Sequence, residues 1–249
     1  MGKSGSTVRQ AHAVLAKVLD LAVMDRAIRE NPARGVKLPR KGKAVKVYLT
    51  AEQLGALAAA CTRNKEIVWV LGTVGLRWGE LAGLQVQDVN VLRGRFNIER
   101  SAVTVGSDIA IGTPKTHERR SVAVPREVMR LIEPLIEGRG PEEFVWARAD
   151  STPLRVPTHG DWFDLAVKKC MSNDDGFPRV TPHGLRHVAA GLMVSAGANV
   201  KAVQRQLGHA SAAMTLDTYA ELWDEDLEAV SRAVGEKISG VVGLSWKGA

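Results

Sequence analysis

Two well-separated segments of this chain carry the residues that could do chemistry. Toward the C-terminal end, Thr181-Pro182-His183-Gly184-Leu185-Arg186-His187 is followed by Leu207-Gly208-His209 and then by Asp217-Thr218-Tyr219. Far upstream, Gly75-Leu76-Arg77-Trp78-Gly79-Glu80 adds a guanidinium with a carboxylate three residues on, close enough along a helix to hold it in place. A planar guanidinium fork suits two oxygens of one phosphate. Imidazoles move protons near neutral pH, and a tyrosine hydroxyl is a nucleophile able to carry a covalent intermediate. Taken as a set, these residue types point to the breaking of a phosphodiester. Proline suits the first turn of a helix, so Pro182 places His183, Arg186 and His187 on neighbouring positions of one face. Three potential cations side by side repel one another unless an anion sits among them, which favours a phosphate pocket over a core role.

Each residue also has an ordinary reading by itself. Arg77 with Glu80 fits a structural ion pair, and His187 fits a hydrogen-bonded core histidine. His209, after a glycine that ends a helix, fits a capping residue, and Tyr219, between Leu216 and Leu222, fits a packed side chain. Lys115, in Gly112-Thr113-Pro114-Lys115-Thr116-His117-Glu118-Arg119-Arg120, belongs to a turn between two strands, where a lysine is commonly just solvated. A flexible ammonium there is also a proton donor for a leaving oxygen, which the other residues lack.

The elements that must position these groups are readable from periodicity. Thr7 with Gln10 forms a capping-box pattern, and apolar residues at helical spacing from Val8 to Ala22 predict an amphipathic helix over Thr7 to Arg29 that Asn31-Pro32 closes off. Residues 31–47 turn to Pro, Gly, Lys and Arg and read as an exposed basic linker, either a solvated tether or, through Lys37, Arg40, Lys41, Lys43 and Lys46, a segment that tracks a nucleic-acid backbone. Thr50 with Gln53 opens a second helix, and an apolar one through Ile67–Thr73 stops at Gly75, so Arg77 starts a new turn. Short β-rich segments at Val89–Ile98, Ser101–Val105 and Arg120–Val124 predict a small antiparallel sheet. Arg119 and Arg120 beside them join the basic residues facing DNA. Helical spacing returns over Arg126–Ile136 and Asp161–Met171 and then dominates Pro182–Val234.

Composition narrows the class. Over 249 residues, 45% hydrophobic and 24% charged, the chain has enough apolar material for one main core, and its formal net charge of +7 favours an anionic partner, nucleic acid first. The cysteines, Cys61 and Cys170, lie far apart without metal-ligand spacing, so neither a disulfide framework nor a metal site is expected. No stretch approaches the roughly 18 apolar residues of a membrane span, and the first residues have no apolar signal core.

From about Thr50 onward, the ordered set Arg77, Lys115, His183, Arg186, His209 and Tyr219 resembles the tyrosine recombinase, or phage integrase, family. The Asn31-Pro32-Ala33 exit and the Thr113-Pro114-Lys115-Thr116 hairpin look closest to integrases of actinobacterial phages and mobile elements. The resemblance implies a mainly α catalytic domain with a small antiparallel β-sheet (α+β) over residues 48–249. Ahead of it would come a basic linker over 31–47 and, over 1–30, the last helix of a shortened core-binding domain. Residues 221–249 would form a tail that docks on a neighbouring protomer. It also implies that Tyr219 attacks a DNA phosphorus to give a 3′-phosphotyrosine and a free 5′-hydroxyl, without ATP, metal or other cofactor. Arg77 and Arg186 would neutralise the non-bridging oxygens, His183 would take the tyrosine proton, His209 would hydrogen-bond the phosphate and Lys115 would protonate the departing oxygen. Glu80 and His187 would support them. The implied partner is double-stranded DNA with att-like core sites, met as a homotetramer on paired sites and as a monomer or weak oligomer without DNA. A DNA-bending accessory protein would assist, all in the cytoplasm of a bacterial host. A DNA-binding protein that does not recombine and a type IB topoisomerase-like enzyme are the alternatives.

Overall fold

In a computed structural model of the chain, the described residues are 4–40, 46–106, 108–113, 119–223 and 227–245, with side chains in the last stretch described from 230 to 241. Lys41, Lys43 and Lys115 lie outside them. The chain divides into two compact units, Met1–Lys46 and Val47–Ala249.

In the first unit, helix α1 spans Gly5–Met24. Its cap is Ser4 rather than Thr7: the Ser4 hydroxyl accepts from the Thr7 backbone N–H at 3.2 Å, so the helix starts earlier than the Thr7–Gln10 pattern indicates. It also ends earlier than Arg29, where Arg26 turns into the left-handed region at φ 58°. The returning segment is tied back to α1 through Asn31, whose side-chain amide donates to Ala16 O at 2.8 Å and Asp20 Oδ1 at 2.7 Å. Lys37 and Arg40 are exposed and Lys46 is half-buried.

The second unit is mainly helical with two small antiparallel sheets. Helix α2 (Ala51–Ala60) opens on the expected capping box, Gln53 N–H to Thr50 Oγ1 at 3.2 Å and Thr50 N–H to Gln53 Oε1 at 3.1 Å. Helix α3 (Lys65–Thr73) carries Ile67, Val68, Val70 and Leu71 into the core, and α4 (Trp78–Ala82) follows the turn at Gly75. Only glycine fits that turn: φ is +76°, and a Cβ would lie 2.5 Å from Leu207 Cδ2.

Strands β1 (Val89–Asn90), β2 (Arg95–Ile98) and β5 (Arg120–Ala123) form one sheet in the order β1-β2-β5, with Phe96 opposite Val122 and Ile98 opposite Arg120. Strands β3 (Ser101–Val105) and β4 (Asp108–Gly112) form a separate hairpin. The single sheet expected from sequence is therefore two, and β4 is a strand that the sequence pattern did not mark. Helix α5 (Arg126–Ile136) has the expected bounds, and α6 covers Trp162–Asn173.

The last helices are α7 (Leu185–Ser195), α8 (Val200–Leu207), α9 (Ala212–Tyr219) and α10 (Leu227–Ser245). Helix α7 starts at Leu185, so Pro182 and His183 lie in the turn before it and not in its first turn. The main core takes the inward faces of α2, α3, α5, α6 and the first turns of α7, with Leu54, Leu57, Ile67, Phe96, Ile132 and Leu185 fully buried. Each such leucine contributes roughly 2 kcal/mol by burial, which fixes α3 against α7 and with them the two segments that carry the arginines. Among the described residues no helix is long and apolar enough to cross a membrane.

Candidate active site

Arg77 caps α4 from an extended backbone, φ −71° and ψ 150°. The carboxylate three residues on returns to it twice: Glu80 Oε2 accepts from the Arg77 backbone N–H at 2.9 Å and Oε1 from Nη1 at 2.8 Å. Arg77 Nη2 donates to the carbonyl of Gly208 at 3.2 Å, joining the α4 start to the α8 end across 131 residues. The side chain remains about a quarter exposed, 26%, so its remaining N–H groups are open to a ligand.

Arg186, in the first turn of α7, is the most deeply placed cation among the described residues, at 4% exposure. Its Nη1 donates to Gly75 O at 2.6 Å and its Nη2 to Leu207 O at 2.5 Å. Those are the carbonyls of the two turns that flank the site, so one guanidinium fixes both. Burial, and then the nearby Arg77, push its pKa down to about 10, which still leaves it charged at neutral pH.

Gly208 ends α8 in the left-handed conformation, φ +66°, the position glycine favours after a helix. The chain thereby turns so that His209 faces the arginines, with Nδ1 2.9 Å from Thr215 Oγ1. Burial, then Arg186, Arg77 and Arg120, hold the His209 pKa at about 4. The imidazole is neutral at pH 7, and Nε2 is left to face a ligand. His183 is exposed on one side, and the protein packed on the other, followed by Arg186 and Arg77, lowers its pKa too.

Tyr219, the last residue of α9, is packed against Ala190, Val194, Val203 and Leu207. Its hydroxyl meets an imidazole, lying 2.9 Å from His187 Nδ1. The His183 and His187 rings are 6.0 Å apart edge to face, and His187 and Tyr219 are 5.6 Å apart. The packed-tyrosine reading holds, and the same side chain lies against His187 and His209. Burial raises its pKa against the pull of Arg186.

The structure thus brings Arg77, Glu80, His183, Arg186, His187, His209 and Tyr219 together. Two further residues belong to the cluster. Thr215, fully buried, fixes the His209 ring. Arg120 does not face outward as a DNA contact. Its guanidinium, 12% exposed, grips Glu80 with Nη1 to Oε1 at 2.9 Å and Nη2 to Oε2 at 2.8 Å. Strand alternation carries the signal for this, since Val122 is an obvious inward residue and Arg120 shares its face. Arg119 points the other way, exposed, and pairs with Glu99 at 2.9 Å. Burial favours a protonated Glu80, but Arg120 and then Arg77 overcome it and hold the carboxyl at about 2. Two guanidiniums share this one carboxylate and a third, that of Arg186, lies near it, leaving a positive surplus that a phosphate would balance. Among the described residues no group of His, Cys, Asp and Glu is placed to hold a metal ion.

Comparison with known proteins agrees with this geometry. The family model described as the phage integrase family matches residues 47–226. The integrase of Mycobacterium phage L5 is 31% identical over 93% of this chain and 64% of its own length. The transposase from transposon Tn916 of Enterococcus faecalis is 29% identical over 87% of this chain and 59% of its own. The chain therefore spans about three fifths of the length of these relatives. Among solved structures, the Tn1549 transposon integrase (residues 82–397) in complex with a circular intermediate DNA superposes with a TM-score of 0.72 at 26% identity, over 87% of this chain and 75% of that one.

Proposed function

Since the chain belongs to the phage integrase family, we propose that it cuts and rejoins DNA at specific sites through a 3′-phosphotyrosine, for integration or excision of a phage or mobile element. The observation that carries this reading is the gathering of Arg77, Arg186 and His209 with Tyr219, the two arginines being anchored on the adjacent carbonyls of Gly208 and Leu207. The relatives named as a phage integrase and a transposon transposase support the biological role. The integrase structure bound to DNA supports the substrate class.

In the reaction, the Tyr219 hydroxyl leaves His187 and attacks the scissile phosphorus. An O–P bond forms as the bond to the 5′-oxygen breaks, so bond energy is kept in the phosphotyrosine and no ATP is used. Arg77 and Arg186 neutralise the non-bridging oxygens, a contribution of about 10²–10³ in rate for each preorganised donor of this kind. Neutral His209 donates a hydrogen bond to the phosphate. His183, uncharged at neutral pH because of its lowered pKa, accepts the tyrosine proton, and His187 between them orients the hydroxyl. Lys115 protonates the departing 5′-oxygen. Exposed Lys37, Arg40 and Arg119, with Lys41, Lys43 and Lys46, track the duplex backbone. The partner is double-stranded DNA with att-like core sites, paired in a homotetramer with a DNA-bending accessory protein, in the bacterial cytoplasm.

A nicked duplex that traps the covalent intermediate tests this. Wild-type protein should form an adduct on it, and Tyr219→Phe should form none while still shifting the DNA in a gel. An adduct with the Phe variant rules out Tyr219 as the nucleophile. A gel shift with no adduct from any substrate design identifies a protein that binds without recombining.

A further inference from the structure

Glu80 is held by two arginines with two bonds each, both from the side chain of Arg120 but only one from that of Arg77. Oε1 accepts from Arg77 Nη1 at 2.8 Å and Arg120 Nη1 at 2.9 Å; Oε2 accepts from the Arg77 backbone N–H at 2.9 Å and Arg120 Nη2 at 2.8 Å. The acceptor capacity of the carboxylate is filled, with a single bond from the Arg77 side chain. Arg120 is itself wedged in place. A Cβ on Gly208 would stand 2.6 Å from its Cζ and Nε, and its Nε is buried without a hydrogen-bond partner.

Building on the recombinase reading, we infer that Arg120 is a positioning residue: by engaging both oxygens of Glu80 it limits Arg77 to one side-chain bond there and keeps the rest of the Arg77 fork for the scissile phosphate. An arginine and a carboxylate left alone tend to close into a two-bond fork. Without Arg120, Glu80 would draw both terminal nitrogens of Arg77 away from the substrate. Charge points the same way. Three guanidiniums against one carboxylate leave two positive charges for a phosphorane that carries two negative ones, and removing Arg120 halves that surplus.

The test uses Arg120→Gln and Arg120→Lys, each alone and combined with Glu80→Gln, in single-turnover adduct formation on nicked duplex, with DNA affinity measured separately. Arg120→Gln should slow adduct formation about 10²-fold and leave affinity within about threefold, with Arg120→Lys recovering part of the rate. The decisive result is a reversal of sign. Glu80→Gln should slow the wild type yet speed the Arg120→Gln protein by about tenfold, because it removes the carboxylate that captures Arg77. Losses that simply add overturn the inference. A crystal structure of DNA-free Arg120→Gln should show Arg77 paired to Glu80 through both terminal nitrogens, and an unmoved Arg77 overturns it as well. That structure needs no activity, so a wild-type chain that forms no adduct sinks the recombinase reading and leaves the positioning claim to be settled by the coordinates. A wild-type adduct with an equally fast Arg120→Gln sinks the positioning claim alone.

Discussion

Tyr219 Oη lies 2.9 Å from His187 Nδ1, while the Tyr219 ring stacks on His209 with centroids 6.1 Å apart and planes within 8°. The proposed nucleophile is thus held by one imidazole and stacked on another. Losing this partner should cost about 1–3 kcal/mol, as for other buried hydroxyls. His187→Ala should accordingly lower the melting temperature, and the same substitution made in a Tyr219→Phe protein should cost about 1 kcal/mol less. Equal losses in the two backgrounds in thermal denaturation mean that the 2.9 Å contact contributes nothing.

Gly208 has two reasons to be glycine, and they act on different things. A side chain at φ +66° is strained by about 1–2 kcal/mol. Its Cβ would also displace the Arg120 guanidinium and, through the Gly208 carbonyl, Arg77. Gly208→Ala should therefore lose about 2 kcal/mol of stability and slow adduct formation roughly 10²-fold. Gly240→Ala in α10, where a Cβ meets nothing within 4 Å, should be neutral or stabilise by about 0.5–1 kcal/mol. Matching melting curves for the two variants would contradict this account.

What was legible in the sequence is what depends on near neighbours. The Thr50–Gln53 capping box, the extent of Arg126–Ile136 and the Arg77–Glu80 contact are all set within four residues, and the structure shows each. Errors arose where two local signals compete. Ser4 and Thr7 are both good caps, and nothing short-range decides between them. Pro182 suits a helical first turn, yet the turn over 181–184 closes first and the helix begins at Leu185. Strand β4 is short and mostly exposed, so only its pairing with β3 makes it a strand. Distant contacts were the least legible. Nothing in one sequence says that Arg77 meets Gly208 or that Arg120 takes the other side of Glu80.

The His209 pKa sets a pH window. Its folded value, about 4, lies below the ordinary imidazole value of 6.5 that serves for the unfolded chain. The unfolded state therefore binds more protons between those values, and stability rises with pH across that range. The contribution is fully present above about 6.5 and is lost as pH falls toward about 4, amounting to roughly 3 kcal/mol at most. Denaturant unfolding from pH 7.5 to 4 should show this slope, and His209→Gln should flatten it. An unchanged slope in that variant assigns the titration to another group.

Arg186 has a structural role between two turns and, on the proposed function, an anion-binding one, and one conservative substitution separates them. A lysine ammonium has no fork with which to reach both Gly75 O and Leu207 O, so Arg186→Lys leaves one buried carbonyl unpaired at a cost of about 1–3 kcal/mol. That loss is independent of ligand. The second role is not: an anion that binds only the folded protein stabilises it by about 2.7 kcal/mol at a concentration a hundred times its Kd. Inorganic phosphate, compared with chloride at equal ionic strength, should raise the wild-type melting temperature, and the rise should shrink in Arg186→Lys because the lysine cannot offer two oxygens a planar fork. A phosphate-dependent rise of the same size in both proteins would show that the anion is held elsewhere on the basic surface, leaving Arg186 only its place between the two turns.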